Sequence, residues 1–414
     1  MLTRHRIHQE IFFYGCLLLA FFLPVFPRLV PTIIFLILVN WLISGIYLKT
    51  IRLFLIEKWR LHILSFAALY LLYCIGMLYS TNLTYGWFDL EVKLSMFIFP
   101  LVFATSDLST VTRSRFRLIP LSFVAGCIIG SLVLIVHATM GYFTTGVKDL
   151  FYYVHFAWYF HSSYIAMYYI FGIGITLSYL WEIVGKKNIY KTLFVCFILL
   201  YLEGMVFLLS SKAGLLTLVI TQLSFLVILL FRNVGPVKVS AIALAMIAIF
   251  LGFSQLFPFA FKRISHANSM VSSTKNIKTN PNDGTIARKE ITKVSLELIQ
   301  QHFVFGVGTG DVKDSYLEQY KDRSLLPLLK NKLNAHNQYF QTWIAVGFTG
   351  VVLLFLYLVV PAYKAMKKGH LLYVLLLVLF GINLFFEAML ETQAGVVFYA
   401  FFNVLLFPVY WEEK

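Results

Sequence analysis

A chain of 414 residues that is 60% hydrophobic, only 13% charged and has a mean hydropathy of +0.80 carries more apolar surface than one or two soluble cores can bury. Its net charge of +15 is spread along the chain in short runs between apolar stretches, which argues against nucleic-acid binding and for membrane topology. What remains is an all-α integral membrane protein.

The amino end has the charge (Arg4, Arg6) and apolar stretch of a secretory signal. No small-residue cleavage site follows, and further apolar runs come at once, so it reads as an uncleaved first helix. A crossing needs roughly 20 apolar residues. On that criterion twelve transmembrane helices are expected, at 11–26, 29–48, 61–79, 92–105, 117–139, 163–184, 192–210, 213–231, 238–258, 337–361, 371–387 and 394–410. Cys16, Cys74, Cys127 and Cys196 all fall inside these runs without metal-ligand spacing, and read as small buried hydrophobes.

Placing the amino end in the cytoplasm puts 18 of the 34 Lys and Arg on cytoplasmic segments. Only 4 then fall on the short outer loops, Arg28, Lys93, Lys148 and Lys212. The asymmetry predicts both termini in the cytoplasm. It divides the chain into nine spans over 1–258, one large extracytoplasmic loop over 259–336, and three spans over 337–414. The loop holds 12 basic and 7 acidic residues. Its Ser/Asn/Thr-rich start, 265–284, reads as flexible. From Thr285 to Gln301 an apolar stripe of Ala287, Ile291, Val294 and Leu298 predicts a short helix, and Gly306, Gly308 and Gly310 predict a tight turn.

Three candidate functional positions lie on the outer side. His336, in Asn334-Ala335-His336-Asn337, is expected in the first turn of the tenth span, where the helix dipole favours a neutral imidazole able to accept a proton. The bland alternative is a polar cap at the membrane interface. Arg288 offers a planar fork for phosphate oxygens; the alternative is a solvated helix face paired with Glu290. Lys212, in Ser210-Ser211-Lys212-Ala213-Gly214, sits so close to hydrocarbon that it either has a function or snorkels outward. Weaker signals are the aromatic-rich stretch 151–164 with His161, the carboxylates Asp89 and Glu91 beside Lys93, and the edge acids Glu387 and Glu391. Gly306-Val307-Gly308-Thr309-Gly310 has the wrong spacing and context for a dinucleotide site.

Taken in order, the Ser210–Leu216 run, an Arg ahead of the Gly306–Gly310 turn, His336-Asn337-Gln338-Tyr339-Phe340 and Gly347-Phe348-Thr349-Gly350 resemble the O-antigen ligase family. That family lies within a group that includes O-antigen polymerases and membrane O-oligosaccharyltransferases. The resemblance covers roughly 205–350. It implies a bacterial inner-membrane glycosyltransferase whose donor is a glycan on undecaprenyl diphosphate and whose acceptor is a sugar hydroxyl of lipid A–core. It also implies that His336, Arg288 and the position of Lys212 are the essential groups. A diphosphate donor needs a base and positive charge, roles that His336 and the pair Arg288 and Lys212 can fill, and Asn337 and His161 are read from their positions as further substrate-binding residues. One departure is plain: Ser211-Lys212-Ala213 stands where the family usually has Ser-Arg-Gly, so the charge is kept and the fork is lost. No acidic metal cluster is visible, which favours a metal-free route with no cofactor, and direct attack by the acceptor would invert the anomeric centre. A polymerase or protein O-glycosyltransferase would use the same donor with a different acceptor. A transporter is the alternative of another class, disfavoured by the lack of an internal repeat.

Overall fold

The computed structural model describes residues 2–50, 57–107, 113–184, 188–258 and 284–407. The Ser/Asn/Thr-rich start of the long loop lies outside the described residues. Among the described residues the fold is all-helical, with no strand. The principal helices are α1 (Leu2–Val25), α2 (Val30–Ser44), α3 (Lys58–Ser65), α4 (Ala68–Gly76), α5 (Leu83–Lys93), α6 (Ser95–Thr105), α7 (Leu118–Thr145), α8 (Ser162–Ile183), α9 (Ile189–Leu209), α10 (Lys212–Phe231), α11 (Pro236–Leu256), α12 (Gly284–Gln301), α13 (Val312–Asp322), α14 (Leu326–Asn331), α15 (Gln338–Lys367), α16 (Leu371–Phe386) and α17 (Gln393–Leu406).

Helix is present in each of the twelve expected segments as far as the described residues reach. Nine helical stretches among the described residues are long and apolar enough to cross a membrane, and α16 and α17 are shorter apolar helices. The expected fourth span is the 11-residue α6, joined to α5 through Leu94. Helix starts follow local capping chemistry. Asn82, Asn188, Ser211 and Asn337 each accept a backbone N–H three residues on, an interaction worth about 1 kcal/mol per cap.

The bundle is organised around α8, which is buried along most of its length, and α17, which packs beside it. Phe123, Phe171, Phe398 and Phe402 interlock at ring separations of 4.8–6.0 Å, mostly edge to face. Outward faces carry exposed apolar side chains such as Phe35, Phe143, Phe231 and Val237, the inverse of a soluble surface and the pattern lipid requires.

Polar bonds gather helix ends at two rims. One rim holds the amino end: His5 meets Asp107, Arg115 meets Glu10, Arg117 meets Glu182, and Arg232 donates to the Gly369 carbonyl. The starts of α8, α10 and α15 and the end of α16 lie at the other.

α15 is broken about two turns from its start. Val346 (φ −133°, ψ 18°) and Gly347 (φ 71°, ψ −166°) leave the helical region, and Gly347 occupies a conformation that is essentially glycine-only. The break exposes backbone groups that the glycine turn then satisfies. Val307 N donates to Ile344 O at 2.7 Å, Gly308 N to Ala345 O at 3.1 Å, and Phe348 N to Phe303 O at 3.0 Å. Gly306 (φ 74°) permits the approach, since a Cβ there would lie 2.5 Å from Ile344 O. The turn's far side is tied to the end of α4 and the start of α5: Thr309 Oγ1 donates to Tyr73 O, and Asp311 accepts from the backbone of Thr81 and Asn82. The Gly306–Gly310 motif is therefore a clamp that seats the loop in a helix break.

Candidate active site

The helix expected over Thr285–Gln301 is α12, and Ala287, Ile291, Val294 and Leu298 are all buried against its neighbours, including α15. That packing turns Arg288, next to buried Ala287, toward the end of α16. Its guanidinium donates to Glu387 Oε1 at 2.6 Å, while the expected partner, Glu290, instead pairs with Lys293. Glu387's other oxygen, Oε2, lies 2.9 Å from His336 Nδ1. One buried carboxylate thus joins the two leading candidates, with Arg288 partly exposed, His336 about a quarter exposed, and Glu387 enclosed between them.

His336 differs from expectation in one respect. It does not lie in the first turn of the helix; α15 begins at Gln338 with Asn337 as its cap. His336 precedes the cap with φ 46°, a left-handed conformation that costs a non-glycine residue of order 1–3 kcal/mol and that persists where the surroundings enforce it. Its N–H bonds Asn334 Oδ1 at 3.1 Å, an Asx-type turn that stabilises the bend. The group its ring touches is a carboxylate, and not the helix end.

His161 caps α8, accepting from Ser163 N, and stands within electrostatic reach of Glu387, His336 and Arg288. Burial lowers its pKa, and the pull of Glu387 does not restore it against the nearby His336 and Arg288. Glu387 behaves oppositely. Burial alone would raise its carboxyl, but the hydrogen bond with His336 and the charge of Arg288 outweigh it and hold the group below its usual range. Asn337 uses its side-chain oxygen to cap α15, which leaves its amide nitrogen for other contacts. Lys212 opens α10 just after Ser210, itself at φ 46°. α10 packs on α8 and α16, and Gly214 abuts Ala166 near the start of α8, which places Lys212 at the same rim.

Behind the cluster lies a second layer built around the fully buried Lys93. Lys93 Nζ donates to Asp89 Oδ1 at 2.5 Å and to Glu391 Oε1 at 2.9 Å, and stands 4.9 Å from the Tyr73 ring centroid. Gln338 accepts from Leu390 N at 2.7 Å and donates to Thr342. These bonds pin the 387–391 turn to the start of α15, beside His336. In the sequence the acids at 387 and 391 either face the bundle interior or mark the outer end of a span; their partners come from distant segments that local pattern does not reveal.

The fold and this rim define a multi-pass helical membrane protein with a histidine, an arginine and a carboxylate gathered at one face. A family model described as O-antigen ligase matches residues 194–355, and over that stretch the chain is similar to the O-antigen ligase family, a likeness that points to a membrane glycosyltransferase of the O-antigen ligase or polymerase type. The match takes in Lys212, Arg288 and His336 and stops short of Glu387 and His161. No curated protein matches the chain.

Proposed function

We propose that the chain is an O-antigen ligase that transfers a glycan from undecaprenyl diphosphate to a sugar hydroxyl of lipid A–core. In this reading twelve spans cross the bacterial inner membrane, both termini are cytoplasmic, and the 259–336 loop and its site face the periplasm. The concentration of Lys and Arg at the rim of the amino end supports that orientation. The observation that carries the chemistry is that His336 and Arg288, nearly fifty residues apart in sequence, meet on the two oxygens of Glu387.

In the transfer, His336 Nε2 takes the proton of the acceptor hydroxyl as its oxygen bonds to the anomeric carbon. The anomeric C–O bond to phosphate breaks, and its electron pair leaves on the diphosphate. Arg288 and Lys212 match the charge that develops there, in a poorly hydrated site where such charge is most in need of a partner. Asn337 and His161 line the substrate. Attack by the acceptor on the donor's anomeric carbon inverts the configuration, and no step calls for a metal ion.

The test is His336→Ala in purified, reconstituted protein supplied with lipid-diphosphate-linked glycan and lipid A–core. Turnover should fall by on the order of a hundredfold to ten-thousandfold, with insertion unchanged. Near-normal turnover would leave His336 as a cap only. Extension of lipid-linked glycan in place of transfer to lipid A–core would reassign the enzyme as a polymerase.

A further inference from the structure

Glu387 lies outside the matched family region, yet its side chain is bonded to both His336 and Arg288. We propose that Glu387 is a positioning residue that fixes the tautomer of His336 and the spacing between that base and the phosphate-binding cation. This inference rests on the reading of His336 as the base.

The argument begins with the hydrogen bond. An ionised carboxylate can only accept, so at 2.9 Å from Glu387 Oε2 it is His336 Nδ1 that carries the hydrogen. A neutral imidazole has one N–H, so Nε2 is then left with its lone pair and free to accept a proton. Without the carboxylate the ring can turn over or adopt the other tautomer, in which Nε2 holds the hydrogen and cannot act as base. Loss of the equivalent carboxylate in a serine-protease triad leaves the geometry intact and still costs about ten-thousandfold in turnover, through the wrong tautomer.

Glu387 is also held in place itself. It follows the last turn of α16, and its backbone N–H bonds Asn383 O at 3.0 Å. One turn further on, Glu391 is anchored by buried Lys93, and Leu390 N by Gln338. The carboxylate therefore stands on a turn fixed from behind, facing a histidine whose backbone is bent into the left-handed region. Because one guanidinium nitrogen of Arg288 is occupied by Oε1, the rest of its fork stays available to phosphate. The carboxylate thus sets the distance from base to cation without consuming either.

The experiment uses the full chain in lipid nanodiscs, labelled with ¹⁵N-histidine, with His336→Ala as the difference spectrum that assigns the ring. Wild type should show His336 as the Nδ1–H tautomer, and Glu387→Gln should shift it toward Nε2–H. In the same variant kcat should fall at least about tenfold, with donor KM little changed or lowered, since Arg288 is released to phosphate. Glu387→Asp, one methylene shorter, cannot span both partners and should give an intermediate kcat. An Nε2–H tautomer in wild type, or wild-type kcat in Glu387→Gln, would overturn the proposal. If Glu387→Gln does not accumulate, the wild-type tautomer decides alone. Full turnover in His336→Ala would instead overturn the assignment of the base. An inactive His336→Ala beside an unaffected Glu387→Gln would overturn only the role given to Glu387.

Discussion

Gly347→Ala is the sharpest perturbation of the scaffold that holds the site. A Cβ at this position would lie 1.9 Å from Val304 O and 2.4 Å from Val304 C, both backbone atoms that cannot swing aside. The conformation at φ 71°, ψ −166° is nearly closed to alanine, a strain of about 1–3 kcal/mol. Relief requires the 303–308 segment to move away, breaking three backbone hydrogen bonds with 344, 345 and 348, each worth about 1 kcal/mol net. Together this is about 4–6 kcal/mol against docking, or about a thousandfold and more at 1.4 kcal/mol per decade. Gly252→Ala serves as control, because a methyl group there would meet nothing within 4 Å and α11 is helical at that point; it should be neutral or slightly stabilising. The assay pairs limited proteolysis of reconstituted protein with turnover and circular dichroism. The expected result is cleavage near 302–311 and lost turnover at unchanged helicity. Wild-type protease resistance and turnover in Gly347→Ala would refute the claim that the loop is seated in the helix break.

The proposed phosphate ligands should respond differently to exchange: Arg288→Lys should lower turnover severely because the fork is lost, Lys212→Arg should be tolerated, and Lys212→Ala should be severe, all read as kcat and donor KM on purified variants. Lys93→Met should destabilise by about 3–5 kcal/mol by leaving Asp89 and Glu391 buried without their cation; a thermal-unfolding scan checks this, and adding Glu391→Gln should recover part of the loss. Acid should loosen the site. Glu387's folded pKa lies below its ordinary value of 4.5, so its contribution is fully present above that pH and is lost as pH falls through the lowered value; proteolysis of the loop should accelerate there, and less so in Glu387→Gln.

The parts of this molecule governed by local chemistry are legible in the sequence. Apolar run length locates the helices, and the stripe of Ala287, Ile291, Val294 and Leu298 locates α12 and its buried face. His336, Arg288, Lys212 and His161 stand out as charged or polar groups at the outer edge, and the structure gathers them at one rim. What the sequence withholds depends on distant residues. Local spacing matches Arg288 with Glu290, two places along, whereas its partner is 99 residues away; helical periodicity informs about neighbours on a face and not about which helix end comes to rest beside it. The left-handed backbone of His336 is equally hidden, because Asn334-Ala335-His336-Asn337 is compatible with an early helix start, and only the bond to Glu387 and the capping by Asn337 displace it outward. Lys93 reads as one of few outer-loop cations, and its burial follows from two acids, one of them nearly three hundred residues distant.

The break in α15 also bears on how the protein is assembled. Glycine accepts the right-handed helical conformation as readily as the one seen here, so α15 can enter the bilayer as an unbroken helix with its backbone satisfied internally, as hydrocarbon demands. The carbonyls of Ile344 and Ala345 become open only when the helix parts at Gly347, and Val307 and Gly308 then take up the bonds. The exchange is close to one for one, so it demands little net backbone bonding and can wait until the preceding segment has reached the break. The geometry thus allows a handover in which the helix parts at Gly347 as its loop arrives, with the rim that carries His336 closing last.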